Sequence, residues 1–188
     1  MRELTYFVAV TLDGFIADPA GDFSAFPMVG DHIDHIVAEY PDTLPAVALD
    51  AMGITAPTTR FDTVVMGWNT YAAGLPSGVD DPYSHLRQYV FTSRPAPAVD
   101  AITFTSDDPV AVVQKLKAEP DGAGIWLCGG GRLAASLVDE IDRLVLKVNP
   151  MILGEGIPLF DGGGIRTFTL EASRTFDSGV VVNEYRRC

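Results

Sequence analysis

Residues Ile125–Leu133 read IWLCGGGRL: four apolar or small residues, Ile125 to Cys128, run into three consecutive glycines and then into Arg132, Leu133, Ala134 and Ala135. A short apolar run that ends in glycine and continues into helix formers predicts a buried strand turning tightly into a helix. Glycine at such a turn lets a ligand come close to the backbone, because no Cβ stands in the way. The unpaired N–H groups and partial positive charge of a helix start suit a phosphate. A close strand–helix contact with no ligand would use the same residues. Gly129 to Ala134 formally satisfy the dinucleotide fingerprint G-x-G-x-x-A. That fingerprint belongs to a first strand–helix turn, with an acid about 20 residues further on. Here the turn follows the fifth predicted strand, and the next strand ends in Asn149-Pro150. The context argues against a Rossmann dehydrogenase.

Outward from this turn the chain alternates strands with helices. Leu4–Thr11 (LTYFVAVT) is rich in β-formers and nearly all apolar, as expected of a central strand buried on both faces. Thr63–Met66, Gln88–Thr92, Ala101–Thr105 and Leu144–Val148 are further predicted strands. Asp31–Tyr40 carries Ile33, Ile36, Val37 and Tyr40 at helical spacing, with Asp31 as cap or first-turn acid. Ala46–Met52 is expected as a short helix, Asp108–Ala118 as an amphipathic one with Val112, Val113 and Leu116 inward, and Arg132–Val138 as the helix after the glycines. Asp18–Asp22 reads as surface loop. Arg166–Phe176 and Val180–Arg186, joined at Asp177-Ser178-Gly179, predict a closing antiparallel hairpin. The pattern calls for one α/β domain over residues 1–188, with a mostly parallel central sheet flanked by helices.

At 188 residues the chain suffices for one well-buried domain. Its formal net charge of −12 argues against nucleic acid or an anionic membrane surface as partner. Cys128 and Cys188 are far apart with no C-x-x-C, which suggests neither a disulfide framework nor a zinc site. With no visible targeting signal and no apolar run of spanning length, the expected location is cytoplasmic.

In sheets of this kind ligands gather at the carboxyl ends of the strands. Four predicted strand ends carry suggestive residues: Thr11–Ala17, Gly67–Thr70, Ser93–Arg94 and Gly129–Leu133. Ser93 and Arg94 could take a phosphate through a hydroxyl and a guanidinium, or form a solvated loop before Pro95. Thr70 could touch phosphate or only cap its turn. Asp13, before Gly14, is a candidate carboxylate or a plain turn residue. His32 and His35 lie three apart with no third ligand and are read as solvent-facing. Cys128 has no recognisable histidine partner and reads as a core cysteine rather than a nucleophile. The absence of G-x-S-x-G counts against an α/β-hydrolase.

Taken together, LDGFIA at Leu12–Ala17, VVMGWNTY at Val64–Tyr71, VFTSRP at Val90–Pro95, LCGGGRL at Leu127–Leu133 and VNPMILGEGIPLF at Val148–Phe160 resemble the dihydrofolate reductase-like superfamily. The likeness is greatest to the reductase domain of the bifunctional riboflavin-biosynthesis deaminase–reductase. It implies a dihydrofolate reductase-like fold and a reductase that takes hydride from NADPH. It places Ala9 and Ile16 against the nicotinamide, and Gly67, Asn69 and Thr70 on the pyrophosphate side. Ser93 and Arg94 fall on the adenosine 2′-phosphate, while Gly129, Gly130, Gly131, Arg132 and Leu133 cradle the pyrophosphate. The loop Asp13–Phe26 becomes a lid. Trp68 stands where that family has an arginine, Cys128 where it has a glutamate and Phe7 where it has a lysine. The NADPH preference then rests on Arg94. The implied reaction reduces a C=N or C=O bond in a pterin-, pyrimidine- or ribose-like small molecule, with a proton from water or from Asp34, Asp31 or Asp13, in that order. The alternative is a ligand-binding protein that keeps the fold without turnover. The relatives' habit of pairing through their last strands implies a homodimer.

Overall fold

The computed structural model describes residues 1–55, 59–95 and 97–188. Its strands are β1 (Leu4–Thr11), β2 (Phe15–Ala17), β3 (Phe61–Gly67), β4 (Arg87–Phe91), β5 (Ile102–Thr105), β6 (Gly124–Gly129), β7 (Arg143–Asn149), β8 (Ile157–Pro158), β9 (Phe168–Thr175) and β10 (Val181–Arg187). Its α-helices are α1 (Asp31–Glu39), α2 (Ala46–Met52), α3 (Trp68–Ala72), α4 (Pro109–Ala118) and α5 (Gly131–Ser136). Eight strands form one sheet in the order β5-β4-β3-β6-β1-β7-β10-β9. The six from β5 to β7 run parallel, and β10 and β9 close the sheet antiparallel, as the sequence predicts.

Period-two alternation sends side chains of the central strands to both faces, and each face has its own core. On one, Phe7, Val64, Met66, Val90, Trp126, Val145 and Val182 pack with Ile36 and Tyr40 of the α1 region and Tyr71 of α3. On the other, Tyr6, Val65, Ile125, Leu127 and Leu144 meet Val113 and Leu116 of α4 and Leu133 and Ala134 of α5. Asp108 caps α4, its carboxylate accepting from the Ala111 N–H. No described helix is long and apolar enough to cross a membrane.

Two features escaped the sequence reading. Phe15–Ala17, expected only as apolar residues beyond a turn, pairs with Ile157–Pro158 as a separate two-stranded sheet. His32, expected at the surface, is only 2% exposed. Its Nδ1 lies 2.9 Å from Ser178 Oγ and its Nε2 3.2 Å from the Pro27 carbonyl. The closing hairpin folds its turn onto α1, so the helix face that holds His32 and Ile36 is covered by residues about 145 positions away. Among the described residues no cluster of three metal-ligating side chains occurs.

The entry to β3 is held by Asp42, which has no exposed surface. Its carboxylate accepts from the N–H groups of Thr59, Arg60 and Phe61 and from the Thr59 hydroxyl. Removing it strands those donors at the start of the strand that delivers Gly67 and Thr70. Asp42→Ala is expected to lower the unfolding free energy by about 3 kcal/mol in urea titration, with an unchanged denaturant slope. A loss below about 1 kcal/mol, the value of one ordinary hydrogen bond, would show that the staple carries little.

Candidate active site

The glycine turn is built by close approach. Gly129 has φ +144°, a conformation side chains rarely adopt, and the Gly129–Gly130 peptide is cis. A Cβ on Gly131 would overlap the Pro158 carbonyl of β8, so only glycine fits where α5 begins. The Asp161 N–H donates to the Gly131 carbonyl at 3.1 Å, fixing the same pair of segments.

Three strand ends meet at this turn. Thr70 Oγ1 lies 3.4 Å from where a Gly129 Cβ would stand and 3.8 Å from that of Gly130. Ile16 Cδ1 is 3.9 Å from the same point on Gly130. A Cβ on Gly67 would sit 3.9 Å from the Gly129 carbonyl oxygen and the Gly130 nitrogen. Ile16, Gly67, Thr70, Gly129 and Gly130 thus form one cluster, although they come from β2, from the β3–α3 junction and from the β6–α5 turn. The tip of β4 reaches the same region. The Arg94 guanidinium carbon lies 5.7 Å from the centre of the Trp68 ring, a cation–π distance, and Trp68 directly follows Gly67. Ser93 and Asn69 are exposed beside them. Gly131 serves the contact with β8, and Leu133 turns its side chain into the core. The Arg132 side chain is exposed, 3.6 Å from the Asp161 carboxylate. Ala9 is partly buried in β1, opposite Lys147 of β7.

The three candidate carboxylates differ in what occupies them. Asp13 accepts from the Thr11 hydroxyl at 2.6 Å and from the N–H groups of Gly154 (2.7 Å) and Leu153 (3.3 Å). The Thr11 bond first, and the backbone bonds with it, hold its pKa below the ordinary aspartate value. Asp31 accepts from the N–H groups of Asp177 (2.7 Å) and Ser178 (3.2 Å) and so ties α1 to the hairpin turn. Desolvation pushes its pKa up, but those donors outweigh it and the net shift is downward. Carboxylates held this way accept hydrogen bonds and have no proton to give near neutrality. Asp34 is exposed, with no hydrogen-bond partner among the described residues. Part of the expected lid is anchored: Ala17 and Phe15 pair with β8, and Asp18 folds its own turn by accepting from the N–H groups of Ala20 and Asp22.

Beneath the glycine turn, on the α1 side of the sheet, lies a polar group the sequence reading passed over. Lys147 sits in the apolar strand LVLKVN, and its Nζ is 4.8 Å from the centre of the Phe7 ring. Burial draws its pKa down to about 8, partly offset by the nearby Cys128. Burial raises Cys128 to about 11, with the sulfur 3.8 Å from the Tyr83 hydroxyl, so the cysteine is a thiol, as expected of a core residue. The available signal was period two, which puts Lys147 on the same face as the core residue Val145.

A cleft of about 410 Å³ opens at the opposite, amino-terminal ends of the strands, lined by Arg2, Tyr40, Arg60, Arg143 and Glu184. Its arginines are spent on internal pairs: Arg2 with Asp62 and Glu119, Arg60 with Glu39, and Arg143 with Glu171 and Glu184.

Comparison with known proteins agrees with this fold. The chain is 32% identical over 166 residues to the uncharacterized protein YwjB of Bacillus subtilis (strain 168), covering 85% of this chain and 83% of YwjB. It is 30% identical over 197 residues to the uncharacterized protein YyaP of the same organism, covering 96% and 92%. Among solved structures it superposes on a diaminohydroxyphosphoribosylaminopyrimidine deaminase/5-amino-6-(5-phosphoribosylamino)uracil reductase of Thermotoga maritima with a TM-score of 0.68. That match has 19% identity and spans all of this chain and 57% of the other. The model of the RibD C-terminal domain matches residues 2–182. A mostly parallel sheet closed by an antiparallel hairpin, with its strand tips drawn around a triple glycine, is thus the fold of a known family: this chain belongs to the RibD C-terminal domain family, with a dihydrofolate reductase-like α/β fold.

Proposed function

We propose that the protein is an NADPH-dependent reductase of a C=N or C=O bond in a pterin-, pyrimidine- or ribose-like small molecule. The observation that carries this reading is the convergence of Ile16, Gly67, Thr70, Gly129 and Gly130 in one cluster at the carboxyl ends of the strands, with Arg94 at its edge. Two glycines without side chains lie beside a threonine hydroxyl there, and backbone free of Cβ atoms next to a hydroxyl donor supports a ligand phosphate lying close against it. When bound, the reduced nicotinamide supplies the hydride.

The chain's residues bind and orient. Gly67, Thr70, Gly129 and Gly130 line the pyrophosphate, with Asn69, Arg132 and the backbones of Gly131 and Leu133 at its margins. Ser93 and Arg94 meet the 2′-phosphate, the guanidinium held over Trp68 so that its donors face outward. Ala9 and Ile16 flank the nicotinamide, and the segment from Asp13 to Phe26 shields it from water. Orientation of this kind is worth several kcal/mol of the barrier by itself. Of the three carboxylates, Asp34 alone is unoccupied and can relay a proton from water; Asp13 and Asp31 keep the loops in place. The structure of β9 supports a homodimer. It is the last strand of the sheet, and seven of its eight residues are exposed.

Two measurements test this. In fluorescence titrations NADPH is expected to bind more tightly than NADH, and Arg94→Ala to cost about tenfold in NADPH affinity while sparing NADH, the value of one charge-assisted hydrogen bond. Equal affinities in the wild type, or equal losses in the variant, would remove Arg94 from the 2′-phosphate. In sedimentation velocity at micromolar concentration the chain is expected to run as a dimer, and a monomer would rule out pairing through β9.

A further inference from the structure

We propose that Lys147 is the anchor for the acceptor, its ammonium pairing with an anionic or carbonyl oxygen that the acceptor carries. This rests on the reductase reading for the neighbouring nicotinamide, but its own support is separate. Lys147 lies on β7, directly opposite Ala9 of β1 and Val182 of β10. Its ammonium stands over the face of Phe7, whose ring is stacked on Tyr40 at 4.8 Å and meets Trp126 edge-on at 6.5 Å. Among the described residues no carboxylate lies within 4.0 Å of this ammonium and no hydrogen-bond acceptor is engaged by it. The contrast with Lys117 is direct. That ammonium, also in a buried setting, is satisfied by Asp142 at 2.7 Å and by the Glu140 carbonyl at 2.8 Å.

A partly buried cation held over a ring face gives up part of its hydration. An oxygen anion or polarised carbonyl arriving with a ligand would restore it with a charge-assisted hydrogen bond. Ala9 offers no more than a methyl group beside Lys147, and Phe7 and Trp126, each 3% exposed, form a closed aromatic floor beneath the ammonium, with Tyr83 packed edge-on against Trp126. Cys128, protonated, leads straight into Gly129 and Gly130, so the anchored acceptor would lie next to the glycine turn. The charge retained by Lys147 at neutral pH suits an oxygen acceptor and repels a cationic ring.

The chain has three lysines, Lys115, Lys117 and Lys147, which permits an internally controlled test. The wild-type protein is treated with an amine-acylating reagent, and labelling at each lysine is followed by peptide mass spectrometry. Barbiturate, a planar anionic pyrimidine, serves as probe, and uracil as its neutral counterpart. Barbiturate at roughly ten times its dissociation constant should slow acylation of Lys147 about tenfold and leave exposed Lys115 unchanged, with uracil protecting less. In equilibrium dialysis Lys147→Met should weaken barbiturate binding about tenfold or more, erase its advantage over uracil, and leave NADPH binding intact. Unprotected Lys147, or equal binding of barbiturate by the variant, overturns the anchor even where NADPH binds. Protection of Lys147 with no NADPH binding would uphold the anchor and defeat the reductase reading instead.

Discussion

The contact on which the structure turns is backbone against backbone at Gly131. The Pro158 carbonyl occupies the place a side chain would need there, and the Asp161 N–H closes the same seam onto the Gly131 carbonyl. A second close approach, Gly156 against the Ala17 carbonyl, locks the small β2–β8 sheet to it. Together these draw Ile16 to the glycine turn and set it beside Thr70. Any side chain at Gly131 would push β8 away, and the cleft's third wall would leave with it.

The two faces of the sheet divide the labour. The side covered by α4 and α5 is packed with Tyr6, Leu127, Leu133 and Leu137, and the Tyr6 hydroxyl there is tied up in donating to the Leu159 carbonyl. The side covered by α1 and α3 holds what remains polar among the aromatics: Cys128, Tyr83 and Lys147. The carboxylates nearest the cleft have been drawn into architecture. Asp13 pins the segment at Leu153–Gly154, and Asp31 pins the hairpin turn at Asp177–Ser178. Both stay ionised, because the donors that hold them also lower their pKa.

Local patterns were legible in the residues. Leu4–Thr11 emerges as a strand with the very bounds its apolar run implies. The glycine run after Cys128 was legible as a strand-to-helix turn because both flanks state their periodicity plainly. What could not be read depended on partners distant in the chain. The two-residue strand Ile157–Pro158 has no periodicity of its own and exists only because Phe15 and Ala17 lie alongside. His32 looks like a polar helix residue until Ser178 and Pro27 close over it. The sequence ranked Asp34, Asp31 and Asp13 in that order without showing what each would meet, and the hydrogen-bond partners now separate Asp34 from the other two. Lys147 was hidden in a strand whose other residues call for burial, and its lone position became visible only beside the Phe7 ring.

The central claim is that separate strand tips form a single dinucleotide cleft. Hydrogen–deuterium exchange with and without NADPH addresses it directly, because Gly67–Tyr71 and Gly129–Leu133 are distant in sequence and report independently. The account predicts that NADPH slows exchange in both segments together, while the amino-terminal cleft around Arg2 and Arg143 is unaffected. Protection confined to the cleft around Arg2, or absent from either glycine segment, would contradict it.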